Sequence, residues 1–81
     1  MSNEHANRPE LFVDNDRYDW DEETINGKQL RVLASLPDDV QIFHKIPGKP
    51  DEEVKDNTTV DLTKVHGPDH FWTRPAGSQA G

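Results

Sequence analysis

The amino-acid sequence predicts a small two-layer α+β domain, in which one helix lies across one mixed β-sheet. Three observations carry this. "VQIFHKI", residues 40–46, alternates strictly: Val40, Ile42, His44 and Ile46 fall on one side and Gln41, Phe43 and Lys45 on the other. "ETINGKQLRVLASL", residues 23–36, changes period, with Ile25, Leu30, Leu33 and Ala34 recurring at helical spacing. Turn-forming clusters then divide the rest into short extended pieces, giving the order ββαβ followed by a long loop and a last strand. That order leaves a single helix to cover a single sheet.

The elements follow in chain order. Residues 1–9 are polar and end in Pro9, which reads as a flexible N-terminal arm before an ordered domain over residues 10–75. "ELFV" is a short strand, "DND" supplies the turn residues Asp14, Asn15 and Asp16, and "RYDW" alternates again with Tyr18 and Trp20 on one side. Together they form a β-hairpin. A helix is expected over residues 25–35, capped by Thr24 or Asn26, with Gln29 as capping-box partner to Asn26. Gly27 costs about 1 kcal/mol relative to Ala inside a helix, which favours a place in the first turn. Pro37, Asp38 and Asp39 mark the helix end and the next turn. After the strand at 40–46, "PGKPDEEVKDNTT" reads as a surface loop with at most a brief extended piece at residues 53–55. "VDL" is a short anchor through Val60 and Leu62, "DHFWTR" is the last strand, and residues 76–81 form a small-residue tail. No internal repeat is visible.

Composition bounds the function. Of 81 residues, 16 are Asp or Glu and 9 are Lys or Arg, a net charge of −7. Such a balance disfavours nucleic acid or an anionic membrane as the main partner, because both require clustered cations. Protein partners fit better. The absence of cysteine excludes disulfides, thiolate metal sites and a cysteine nucleophile. "MSNEHANRPE" has neither an apolar core nor a basic amphipathic pattern, and no stretch approaches a membrane span, so a soluble cytoplasmic protein is expected.

Motifs for site chemistry are thin. "DNDRYDWDEETI" places Tyr18, Asp19 and Ile25 where a calcium loop needs an oxygen ligand, Gly and Glu, and reads as a hairpin turn instead. His66 and His70 stand four apart and His44 could approach them. Gly and Pro between the pair deny them a helix to set their geometry, so no metal site and no cofactor is expected. No Ser-His-Asp order, phosphate loop or HExxH is present, and the chain is not expected to be an enzyme. One short helix and a narrow sheet cannot enclose a ligand cavity, leaving the surface and the ends to do the work.

The wording and spacing of three segments resemble the bacterial multiubiquitin family of ubiquitin-like domains. A Trp-bearing second strand, Trp20, leads into a helix start with Thr24, Ile25, Gly27, Gln29 and Leu30. An Asp-rich loop reaches Val60, Asp61 and Leu62, and Phe71 sits in the final strand. The similarity spans roughly residues 10–75 and implies a β-grasp fold of ββαββ order. It also implies function through attachment. Members look like ubiquitin-type modifiers encoded beside activating, conjugating and JAB-type peptidase enzymes in bacterial operons, some linked to antiphage defence. In such a modifier the terminal glycine carboxylate is adenylated, passed to an enzyme thiol and joined to a target amine. Here that position is Gly81, preceded by Ala80 where the family pattern has a diglycine, and one domain stands where many members hold several in tandem.

The small residues Ala76, Gly77, Ser78 and Ala80 suit a peptide that must thread a narrow enzyme channel. If Phe71 faces the core, as the family pattern implies, His70, Trp72 and Arg74 turn outward, where Trp72 and Phe43 would form an exposed aromatic patch for a partner. The competing view is that Phe43 and Trp72 only cover the edge of a small core. Two alternatives to a modifier also stand: a non-conjugated β-grasp adaptor using the same surface, and a sulfur carrier whose carboxylate ends as a thiocarboxylate.

Overall fold

The computed structural model describes residues 9–64 and 67–76. Its elements are β1 (Glu10–Val13), β2 (Asp16–Asp19), β3 (Thr24–Asn26), α1 (Gly27–Leu33), β4 (Val40–Lys45), β5 (Glu52–Val54), β6 (Thr59–Asp61) and β7 (Asp69–Pro75). Five strands form one sheet in the order β2-β1-β7-β4-β5, and β3 and β6 form a second sheet of two. Strand β7 runs parallel to β1, and the other pairings are antiparallel. A mixed five-stranded sheet with one helix is the β-grasp architecture that the sequence predicts.

The opening hairpin closes more tightly than expected. Asp14 and Asn15 both take positive φ, 52° and 75°, so they alone form a two-residue turn of the kind that matches the twist of paired strands. Asp16 is the first residue of β2, opposite Val13. The turn is also fastened to the last strand: the Asp14 N–H donates to the Phe71 carbonyl at 3.0 Å, and Asp14 accepts from both the N–H and the hydroxyl of Thr73.

The helix is shorter than the expected span of 25–35. Residues 24–26 pair with 59–61 as β3 and β6, so Ile25 meets Val60 across a ladder and is not a helical residue. Apolar spacing alone cannot separate the two states over so few residues, and the strand pairing prevails. Asn26 is the N-cap: its side chain accepts from the Gln29 N–H at 2.8 Å, while Gln29 Oε1 accepts from the Asn26 N–H at 2.9 Å. Gly27 falls in the first turn, as expected. The helix stops four residues before Pro37. Ser35 adopts φ 55°, its N–H donates to Val32, and the Leu36 N–H donates to Arg31 at 2.8 Å, so a reversed residue ends the helix before proline can.

Leu11, Val13, Ile25, Leu30, Ile42, Val54, Val60, Leu62 and Phe71 form the core, with Tyr18, Trp20, Leu33, Ala34 and Leu36 packed at its margin. Among the described residues one charged residue is buried with them. Asp69, 3% exposed, accepts a hydrogen bond from His44 Nε2 through Oδ1 at 2.9 Å, and its other oxygen has no hydrogen-bond partner among the described residues. The His44 ring also stacks on Phe71 at 4.7 Å. The alternation in β4 thus puts His44 inward, but as a polar member of the core. Among the described residues no helix is long and apolar enough to cross a membrane.

A candidate partner-binding face on the open side of the sheet

The side of the sheet away from α1 carries the residues that alternate with the core. Leu11 and Val13 are buried, which turns Phe12 outward; Phe71 is buried, which turns His70, Trp72 and Arg74 outward; Ile42 is buried, which turns Gln41, Phe43 and Lys45 outward. Register then aligns them. Phe43 stands opposite Trp72 and Gln41 opposite Arg74, while His70 lies between Phe12 and Lys45.

The Phe43 and Trp72 rings stack with centroids 4.5 Å apart and planes 19° from parallel. The Arg74 guanidinium carbon lies 4.9 Å from the Phe43 centroid on a partly exposed surface. An aromatic pair of this kind contributes about 0.5–1.5 kcal/mol beyond its burial, and an exposed cation over a ring about 0.5–1 kcal/mol. Polar contacts hold the cluster at both ends. Trp72 Nε1 donates to Asp51 at 2.8 Å, Arg74 Nε donates to Gln41 at 3.1 Å, and Gln41 donates onward to Glu53 at 3.1 Å. A few steps away His70 stacks on Phe12 at 4.9 Å. Between the two stacks, Asp14, Asn15, Lys45, Asp51 and His70 line a surface cleft of about 310 Å3.

On the far edge Arg17 donates to Glu10 at 2.6 Å and lies 3.5 Å from Asp19. The bond to Glu10 and then the charges of Glu10 and Asp19 raise the Arg17 pKa above its ordinary value. This cation is neutralised by its own neighbours. Arg74, by contrast, spends its contacts on the neutral amide of Gln41 and the Phe43 ring.

Phe43, His70, Trp72 and Arg74 therefore share one face, with Phe43, Trp72 and Arg74 in a single stack and His70 in a neighbouring one. Gly81 and His66 lie outside the described residues. His44 and His70 point to opposite sides of the sheet, and no group of three or more potential metal-ligating side chains occurs among the described residues. The calcium-like wording of residues 14–25 is the hairpin turn, β2 and β3. Sequence reasoning passed over Phe12 and Asp51. Alternation within "ELFV" was enough to turn Phe12 outward, whereas nothing in the spacing announces that Asp51 reaches Trp72 across 21 positions.

Residues 10–76 match the family model described as Multiubiquitin. The chain belongs to the multiubiquitin family. Searches of curated proteins and of solved structures found no match. The match covers both sheets, the helix and the whole of β7, so the multiubiquitin domain coincides with the described body. Its open face carries flat stacked rings, fixed by hydrogen bonds, with a guanidinium at their edge. Rigid aromatic and Arg anchors of this type are what dominate protein interfaces.

Proposed function

We propose that this multiubiquitin domain is a ubiquitin-like protein modifier, attached through the carboxylate of Gly81, or of a glycine exposed by trimming, to an amine on a target protein. The carboxylate would attack the α-phosphate of ATP and release pyrophosphate. An enzyme thiol would then displace AMP to form a thioester, and a target amine would displace the thiol to leave an amide. The domain supplies the carboxylate and its partners supply the catalytic groups: an activating enzyme, a conjugating enzyme and a JAB-type peptidase in a bacterial, cytoplasmic, ubiquitination-like pathway, with antiphage defence as a setting. The observation that carries this proposal is the family match over residues 10–76. The topology is compatible with it, because Trp72 and Arg74 stand on β7, the strand that leads to the tail, and an enzyme gripping that face would hold the tail's root.

The preassembled Phe43–Trp72–Arg74 stack favours a second reading, an adaptor that binds through this face without covalent chemistry. One experiment separates them. The protein is incubated with ATP and the activating and conjugating enzymes encoded beside it, and products are followed by intact mass and by reducing and non-reducing gels. A modifier gives an adenylate, a thiol-sensitive adduct and a stable amide, all lost on deletion of Gly81, while Phe43→Ala lowers the yield with the tail intact. A sulfur carrier would instead gain sulfur at the carboxylate. Absence of any adduct from both wild type and the Gly81 deletion would leave the adaptor.

A further inference from the structure

Strands β5 and β6 leave the turn at residues 55–58 in different sheets, and they diverge. The turn itself is closed by Thr58, whose N–H donates to the Lys55 carbonyl at 2.9 Å and whose hydroxyl accepts from the Lys55 N–H at 3.0 Å. Beyond it, among the described residues, β5 pairs only with β4 and β6 only with β3. Between them opens a wedge of about 290 Å3. Its floor is mainly apolar, from Ile46, Val54 and Val60, and its rim carries Glu52, Glu53 and Asp61 against one cation, Lys64. Each strand thus keeps a second edge that no described strand pairs, and residues of both line the same slot.

We infer that this wedge is a docking groove for an extended, basic segment of a partner protein, which adds as a strand along β5 with an apolar side chain in the slot and Lys or Arg at the rim. Three features select that occupant. Free strand edges offer main-chain hydrogen bonds to an extended chain and not to a helix, whose backbone groups are already paired. A slot of about 290 Å3 lined by Ile46, Val54 and Val60 has room for an aliphatic side chain and lies at the bottom of the small-molecule pocket range. Three carboxylates on the rim, in a chain of net charge −7, favour a cationic sequence and repel an acidic one. The Asp61 carboxylate is held ionised by Thr63, which donates to it from its hydroxyl at 2.6 Å and its N–H at 2.9 Å, lowering its pKa. The groove lies at the opposite edge of the sheet from the hairpin, and it would operate whether or not the tail is conjugated.

The test is a titration of the 15N-labelled full chain with a capped Lys-Val-Lys-Val-Lys peptide, followed by amide shifts. Controls are the same peptide N-methylated on alternate residues, a Glu-Val-Glu-Val-Glu peptide, and the protein variant E52K/D61K, whose folding is checked by its own spectrum. The groove predicts shifts concentrated at residues 52–54 and 59–61 and at least about tenfold weaker binding for each control. The deletion of Gly81 should leave binding unchanged. Shifts centred on Phe43 and Trp72, equal binding of the N-methylated or acidic peptide, or no shift at about 1 mM peptide would each overturn it.

Discussion

Gly27→Ala reverses the usual sign of a Gly-to-Ala change in a helix. At an unconstrained interior position the substitution stabilises by about 1 kcal/mol, because Ala loses less backbone freedom. In this domain a Cβ at position 27 would sit 2.2 Å from the Lys55 carbonyl oxygen, 2.6 Å from its carbon and 3.1 Å from Asp56 Cα. All three are backbone atoms, so no side chain can swing aside. The helix start is also tied there, the Lys28 N–H donating to the Asp56 carbonyl at 3.2 Å. Relief requires α1 to move away from the turn at 55–58, straining both that bond and the β3–β6 ladder. Overpacking costs about 1–3 kcal/mol, and a clash this close belongs at the upper end. Set against a propensity gain of at most about 1 kcal/mol, the net loss is about 2 kcal/mol. For a chain of 81 residues, with an expected stability of about 4–12 kcal/mol, that is a visible fraction. Urea unfolding followed by far-UV circular dichroism measures it as a lower midpoint at unchanged slope. Lys55→Gly in the same background should not restore the midpoint, since the obstructing atoms remain. A Gly27→Ala protein as stable as wild type would refute the close backbone approach.

Three further outcomes follow from local geometry. Asn26→Ala removes the acceptor for the Gln29 N–H and should cost about 1 kcal/mol, with Gln29→Ala costing less; equal midpoints for wild type and Asn26→Ala in urea would deny the cap its role. Asp51→Ala frees the Trp72 indole, so in a Trp20→Phe background the emission should shift to the red with a stability loss of about 0.5–1 kcal/mol, and an unchanged spectrum would mean the bond does not hold the ring. Thr63→Val removes the larger of the two hydrogen bonds that lower the Asp61 pKa, so the carboxyl signal should titrate at higher pH than in wild type. The sign for stability is that of a depressed carboxyl: the contribution is present above the unfolded-state pKa and is lost as pH falls through the folded-state one. Carboxyl-carbon NMR across the acid range reads both.

How much of this was legible depended on whether a signal was local. The alternation that gives β4, the hairpin and the Asn26–Gln29 box are each written within a few neighbouring positions and stand in the structure, whereas the placing of Asp16 in β2 rather than in the turn was set by strand pairing. The β3–β6 ladder was not legible, because three residues of strand borrow their stability from a partner 33 to 37 positions away and show no period of their own. The burial of His44 against Asp69 was half legible. Strand alternation turned the ring inward, but nothing local to residue 44 shows that a carboxylate 25 positions on would meet it. On the open face, alternation ordered Phe43, Trp72 and Arg74 correctly, and it was register, set by β4–β7 pairing, that made them one stack.

The residues that carry the family resemblance divide differently from those on the candidate surfaces. Ile25, Leu30, Val60, Leu62 and Phe71 are core, Gly27 permits a backbone contact, and Gln29 completes a cap. Trp20 braces the β2–β3 connection by donating to the Thr24 carbonyl at 2.8 Å, and Asp61 orders the turn after β6 through Thr63. Apart from Val60 and Asp61, which also line the wedge, these residues hold the scaffold and leave both surfaces free to differ. A domain this small has little core to spare, so the residues it shares with the family pattern serve mainly to fold it. The match identifies the architecture, while the proposed partner contacts rest on Phe43, Trp72, Arg74 and the rim of the β5–β6 wedge. Exchanging those residues should redirect binding without unfolding the domain, whereas truncating the buried motif residues Ile25, Leu30, Leu62 and Phe71 together should unfold it before any change of partner can be read.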